Sequence, residues 1–177
     1  MVFKPTNIVG AYVVELQPRE DERGSFARSF CLREFEAQGI PFTVAQCNLA
    51  RTKYAGTVRG LHYHDSMTRE GKLVRCLAGA VLDVIIDMRG DSPSRHQVFQ
   101  TTLDPINRLS LFVPAGVAHG YQALLDNTEF FYMTDDFYSP GHEKGVRFND
   151  PALGINWPLP ARDITERDRQ WPLVAST

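Results

Sequence analysis

At 177 residues, with 43% hydrophobic and 11% aromatic side chains, the chain has enough apolar material for one buried core and is short for two domains. Its 19 basic and 21 acidic residues are spread along the chain with a formal charge of −2, which excludes a basic face large enough to hold a nucleic-acid backbone. Cys31, Cys47 and Cys76 form no CxxC pair, and the chain has neither a basic segment leading into an apolar run nor about 18 consecutive apolar residues; the expectation is a single domain over 1–177, cytoplasmic, without a disulfide framework, zinc knuckle or membrane partner.

In chain order, short β-branched and aromatic runs alternate with turn residues. Ile8 to Leu16 and Gly24 to Phe30 read as strands, and Leu32 to Gln38 reads as a short helix, stopped by Gly39 and Pro41. Further strands are predicted over Lys72 to Leu77, Val81 to Met88, Gln97 to Leu103, Leu109 to Val113 and Thr128 to Tyr132, with turns at Ala78-Gly79-Ala80, Arg89 to Pro93 and Ser139-Pro140-Gly141. From Pro151 onward the chain turns into Pro-rich coil with a charged turn at Asp163 to Asp168, read as a tail that packs back over the barrel. Many short strands without alternating helices point to an all-β double-sheet jelly roll with short flanking helices and an open mouth for a ligand.

Two segments concentrate reactive side chains: Arg59-Gly60-Leu61-His62-Tyr63-His64 and Pro114 through Gly120, which contains His119. In a strand His62 and His64 share a face, and His119 comes from a separate strand entered by a Pro-x-Gly turn. The pattern is cupin-like, which raises a metal site built from His62, His64 and His119. Metal-binding cupins carry a Glu seven residues before the glycine of the following turn. Counting back from Gly79 gives Lys72, which cannot be an anionic ligand, although Glu70 lies two residues earlier.

The chain resembles the dTDP-4-dehydrorhamnose 3,5-epimerase family, on motifs that run through almost its whole length. They are Asp21 to Gly24, Gln46-Cys47-Asn48, Arg59 to Tyr63, Gly71 to Arg75, Asp83 to Arg89, Ser92-Pro93, Pro114 to Tyr121, Tyr132, Tyr138, Asn149 to Pro151, Leu153 to Ile155, Trp157-Pro158 and Glu166 to Asp168. The resemblance implies a homodimeric cupin-type jelly roll that epimerises a nucleoside-diphosphate 4-keto-6-deoxyhexose without metal or redox cofactor. Such chemistry needs a base, an acid and a partner for the enolate oxygen, because a C–H bond beside a ketone is acidic only when the developing oxyanion is stabilised.

By resemblance His62 is the base, oriented by Asp168 from the tail, and Tyr132 is the acid on the opposite face of the sugar. Lys72 is the expected partner of the enolate oxygen. Arg59, His119 and Arg23 are expected at the diphosphate or the reacting sugar, and Tyr138, Phe26, Gln46 and Asn48 near the nucleobase. Read without the resemblance, Asp168 is a surface carboxylate and Tyr132 a packing residue.

The chain departs from the family at His64, where glutamine is usual, at Arg28, where Glu is usual, and at Leu49-Ala50, where a polar pair is common. An arginine at position 28 only donates hydrogen bonds, so acceptor-rich bases such as cytosine or guanine are expected to suit it better than thymine. Fewer polar groups near the base also leave open an enzyme restricted to C3 or C5. A metal-dependent cupin enzyme and a non-catalytic sugar-binding cupin are the alternatives from other functional classes.

Overall fold

A computed structural model describes residues 1–64 and 70–174. The strands are β1 (Val2–Pro5), β2 (Tyr12–Glu15), β3 (Arg19–Asp21), β4 (Gly24–Phe26), β5 (Gln46–Thr52), β6 (Val58–His64), β7 (Lys72–Ala78), β8 (Val81–Asp87), β9 (Val98–Leu103), β10 (Leu109–Val113), β11 (Val117–Ala123), β12 (Thr128–Thr134) and β13 (Glu143–Gly145). The helices are α1 (Leu32–Ala37) and α2 (Glu166–Gln170), and among the described residues no helix is long and apolar enough to cross a membrane.

The strands form two facing antiparallel sheets, one in the order β1-β2-β10-β7-β12-β5 and the other in the order β13-β6-β11-β8-β9, with the β3–β4 hairpin standing apart. This is the jelly roll that the strand pattern predicts. Period-two alternation builds the core between the sheets. Val74, Cys76, Leu111, Val113 and Phe130 of the first sheet meet Val81, Ile85, Leu103, Val117 and Tyr121 of the second.

The outer faces are covered from opposite ends of the chain. Phe35 and Phe42 of the α1 segment pack on Val14, Leu73, Phe112 and Met133, with Phe35 and Phe112 rings edge to face at 5.7 Å. The C-terminal tail covers the second sheet, where Leu153 and Val174 join Leu61, Val84, Ile86 and Ala118. It is pinned there by polar contacts: the Gln122 side chain exchanges hydrogen bonds with both the carbonyl and the N–H of Leu159, and the Val174 N–H donates to buried Asp150 at 2.6 Å.

Several predicted boundaries move. The strand expected over Ile8 to Leu16 begins only at Tyr12, because the chain first turns at Gly10 (φ 81°) and Ala11 bonds back to Ile8. The strand expected over Gly24 to Phe30 ends at Phe26. Gly39 takes its left-handed conformation (φ 71°) after α1, as a helix-stopping glycine should. The short strands β1, β3 and β13 carry too few residues for alternation to reveal them, and β5 was legible only as a motif.

Candidate active site

At one end of the barrel the inward positions change from apolar to charged, and a cavity of about 240 Å³ opens there. Arg59, His62, His64, Glu70, Lys72, His119, Tyr121, Tyr132, Tyr138 and Glu143 line it, with Ala50, Gly120 and Phe130. Alternation accounts for most of this. His62 and His64 alternate inward from β6, Lys72 begins the inward row of β7, and Tyr132 follows Phe130 inward on β12 while Phe131 faces the outer cluster.

Arg59 breaks the rule, being three residues from His62 yet lining the same cavity. The register of β6 against β11 explains it. His119 pairs with His62 but Tyr121 pairs with Arg59, so β6 holds one extra residue, and such a bulge re-aims the side chain beyond it. Gly60 and Gly120 make it possible: a Cβ on Gly60 would lie 2.6 Å from the Gly120 Cα. The paired glycines were the sequence signal for this close approach. Arg59 is then held by its Nε, which donates to Thr52 Oγ1 at 3.2 Å, and by an Nη2 bond to the Arg51 carbonyl. Thr52 Oγ1 also bonds the Tyr121 hydroxyl at 2.9 Å.

His62 is engaged at both ring nitrogens. Its Nε2 lies 2.5 Å from Asp168 Oδ1, and its Nδ1 lies 3.3 Å from Glu143 Oε1. Asp168 is only 4% exposed and is no surface carboxylate. Thr165 caps α2 by accepting from the Asp168 N–H, and Trp171 Nε1 donates to Asp168 Oδ1 at 3.2 Å. Burial pushes the Asp168 carboxyl up, but the hydrogen bonds from His62, Thr165 and Trp171 and the charge of His62 outweigh it, and its pKa falls below the usual carboxylate value. Trp171 reaches this position because Gly145, directly across from His62 on β13, has no side chain; a Cβ there would stand 2.4 Å from the indole.

The other titratable groups form pairs around the cavity. His119 Nε2 sits 2.9 Å from Oδ2 of fully buried Asp83, whose pKa burial raises despite the opposing charge and hydrogen bond of His119. Lys72 Nζ lies 3.0 Å from Glu70 Oε2, and His64 Nε2 is 3.4 Å from the same oxygen. Burial, with the charges of Glu70 and Glu143, raises the Tyr132 phenol, so it keeps its proton at neutral pH.

These pairings bear on the metal alternative. His62, His64 and His119 each face a carboxylate of their own, and the Lys72 ammonium stands beside Glu70, where it opposes a cation. Among the described residues no three His, Cys, Asp or Glu side chains gather into a metal-ligating group.

The fold does not bring every expected residue to the cavity. Arg23 and Phe26 lie on the exposed β3–β4 hairpin, where Arg23 is tied to Asp21 and Phe26 is 73% exposed. Arg28 is also exposed, 3.6 Å from Glu34. Gln46 and Asn48 sit on β5 on the same side as Ala50 but short of the cavity wall; Gln46 Oε1 accepts from the Tyr138 N–H at 2.7 Å and so supports the segment carrying that ring. Conversely, Glu143, Asp83, Tyr121 and Thr52 hold site positions that sequence reasoning gave no role. Periodicity could have found two of them: Asp83 alternates inward with Ile85 on β8, and Tyr121 with His119 on β11.

The profile of the dTDP-4-dehydrorhamnose 3,5-epimerase family matches residues 5–176. The chain is 41% identical to dTDP-4-dehydrorhamnose 3,5-epimerase of Pseudomonas aeruginosa over 95% of this chain and 94% of that one. Its fold superimposes on the crystal structure of dTDP-4-dehydrorhamnose 3,5-epimerase from Elizabethkingia anophelis with a TM-score of 0.96 at 33% identity, covering 100% of this chain and 98% of that one. It also matches the dTDP-6-deoxy-D-glucose-3,5-epimerase of Legionella pneumophila, solved in complex with dTDP-4-keto-L-rhamnose, with a TM-score of 0.90 at 35% identity over 98% and 93% of the two chains.

Proposed function

The chain belongs to the dTDP-4-dehydrorhamnose 3,5-epimerase family, and on that premise we propose that it inverts C3 and C5 of a dTDP-linked 4-keto-6-deoxyhexose by proton transfer through an enolate. The observation that carries this reading is the His62 imidazole, which lines the cavity, is fixed at Nε2 by a buried carboxylate and has Glu143 beside its Nδ1. With Asp168 accepting the Nε2 proton, Nδ1 is the nitrogen that takes the substrate proton, and the imidazolium formed on abstraction is stabilised by the same carboxylate.

Tyr132 is the acid in this reading. Its raised pKa keeps a proton available, and inversion requires that proton to arrive on the face the first one did not leave. Lys72 is the compact charge for the enolate oxygen, strengthened as the sugar displaces water. His119, backed by Asp83, stands against the sugar, and Arg59, braced by Thr52, offers its guanidinium fork to the diphosphate. The domain is a single unit over 1–177 in this reading.

In deuterium oxide, dTDP-4-keto-6-deoxyglucose is expected to gain deuterium at both C3 and C5 with inversion at each, read by NMR, and the dTDP sugar should outrun its CDP and GDP counterparts. That order is the reverse of the one expected from Arg28, whose guanidinium lies 3.6 Å from Glu34. Label at neither carbon would overturn the epimerase reading, and changed configuration at one carbon alone would restrict it to a single inversion.

We further propose a homodimer in which the partner's hairpin completes the nucleotide site. The cavity is smaller than the roughly 300–1,000 Å³ that encloses a drug-sized ligand, so it surrounds the sugar and leaves the nucleotide outside. The hairpin meanwhile holds Phe26 73% exposed and Arg23 outward from the barrel, bonded to Asp21 of the same hairpin. Mixing a His62→Ala chain with an Arg23→Ala/Phe26→Ala chain should restore activity well above the sum of the two. A monomer by size-exclusion chromatography, or no recovery on mixing, would refute the shared site.

A further inference from the structure

Resting on the acid–base reading above, each inversion leaves His62 with one proton too many and Tyr132 with one too few. A double inversion must reset this pair while the sugar still fills the cavity and obstructs bulk water. We infer that Glu143 is the proton-return relay between the two, taking the proton from His62 Nδ1 and passing it back toward Tyr132.

Three observations carry this. Glu143 Oε1 lies 3.3 Å from Nδ1, the nitrogen that Asp168 leaves free. The other carboxylate oxygen is ion-paired with Arg167, which projects from the same helical turn as Asp168 and so aims Oε1 at the imidazole. Glu143 and Tyr132 line the same cavity, close enough that the carboxylate charge contributes to holding the phenol protonated. Asp168 cannot do this work, being buried behind the ring with its Oδ1 already shared between His62 and Trp171.

The proton count closes. The substrate C–H electron pair becomes the enolate double bond as its proton moves to Nδ1; Tyr132 then gives its phenolic proton to the opposite face of the carbon and becomes a phenolate. The Nδ1 proton passes to Glu143, leaving a neutral imidazole and a carboxylic acid, and that acid returns the proton through water to the phenolate. No oxidant or other co-reactant is needed.

A relay predicts a split that a structural role does not. With Glu143→Gln, the first inversion per active site, followed by rapid quench, should run near the wild-type rate. Later inversions should slow at least tenfold, and added formate, a small carboxylate, should restore them. Glu143→Asp should keep multiple turnover. If the glutamine variant does not fold, Glu143→Ala with and without formate reads the same contrast. An unchanged steady-state rate, or equal slowing of first and later inversions without rescue by formate, would overturn the relay. Wild-type enzyme that exchanges no carbon-bound hydrogen would instead strike the acid–base reading itself, so the two failures are told apart.

Discussion

Replacing His62 with asparagine is expected to lower both deuterium wash-in and inversion by about 10²–10⁴-fold, the range that a positioned general base supplies. Asparagine reproduces only the Nδ1 half of the ring and ends short of the Nε2 position that meets Asp168, while the Thr165 and Trp171 contacts still hold Asp168 in place. What it lacks is a basic ring nitrogen whose lone pair can take the proton. The loss should therefore fall on kcat with binding of the dTDP sugar retained. NMR exchange rates together with a binding titration make the measurement. A variant that still washes deuterium into C3 or C5 within tenfold of wild type would remove His62 from the role of base.

Tyr132→Phe is expected to separate two quantities that the wild type keeps together. The ring still fills its place beside Phe130 in the core row, so the barrel stays intact. His62 can still take the proton and return it, or a solvent deuteron, to the face it left. Exchange should persist within a few-fold while inversion falls by about 10²–10⁴-fold, because no acid remains on the far face. The spectrum should show deuterated starting sugar of unchanged configuration. Exchange and inversion falling in parallel would instead mean that Tyr132 contributes to abstraction or to packing.

The two variants also bear on the rest of the cavity. If Lys72 steadies the enolate oxygen, exchange in the tyrosine variant depends on that ammonium as much as on the imidazole, since abstraction fails without a stabilised oxyanion. The ion pair with Glu70 holds the ammonium at the mouth of β7 before substrate arrives.

Much of this architecture can be read without coordinates. Alternation over β7, β8, β10 and β12 names the inward residues, and the turns at Gly79 and Gly116 mark where strands reverse. The same alternation puts His62 beside His64, and Tyr132 opposite in direction to Phe131. These features are local: a period of two and a turn residue act over a few positions, and steric rules of the backbone enforce them wherever the chain lies. The three-residue strands β3 and β13 escaped because so short a run contains no period.

Residue chemistry and local pattern thus determined a double-sheet barrel with an imidazole-rich mouth, and matching motifs determined its family. Only the tertiary structure decided which groups meet there. Asp168 lies 106 positions from His62, and nothing near Thr165 distinguishes a buried partner from an exposed charge. Its place depends on the tail covering the second sheet, on Trp171 lying over a strand that has glycine at position 145, and on Gln122 and Asp150 fastening the intervening coil. Likewise the bulge opposite Gly120 brings Arg59 inward, and the hairpin turns Arg23 and Phe26 away. Such proximities arise from burying apolar faces of segments distant in the chain, a balance struck by the whole core rather than by any short stretch of residues.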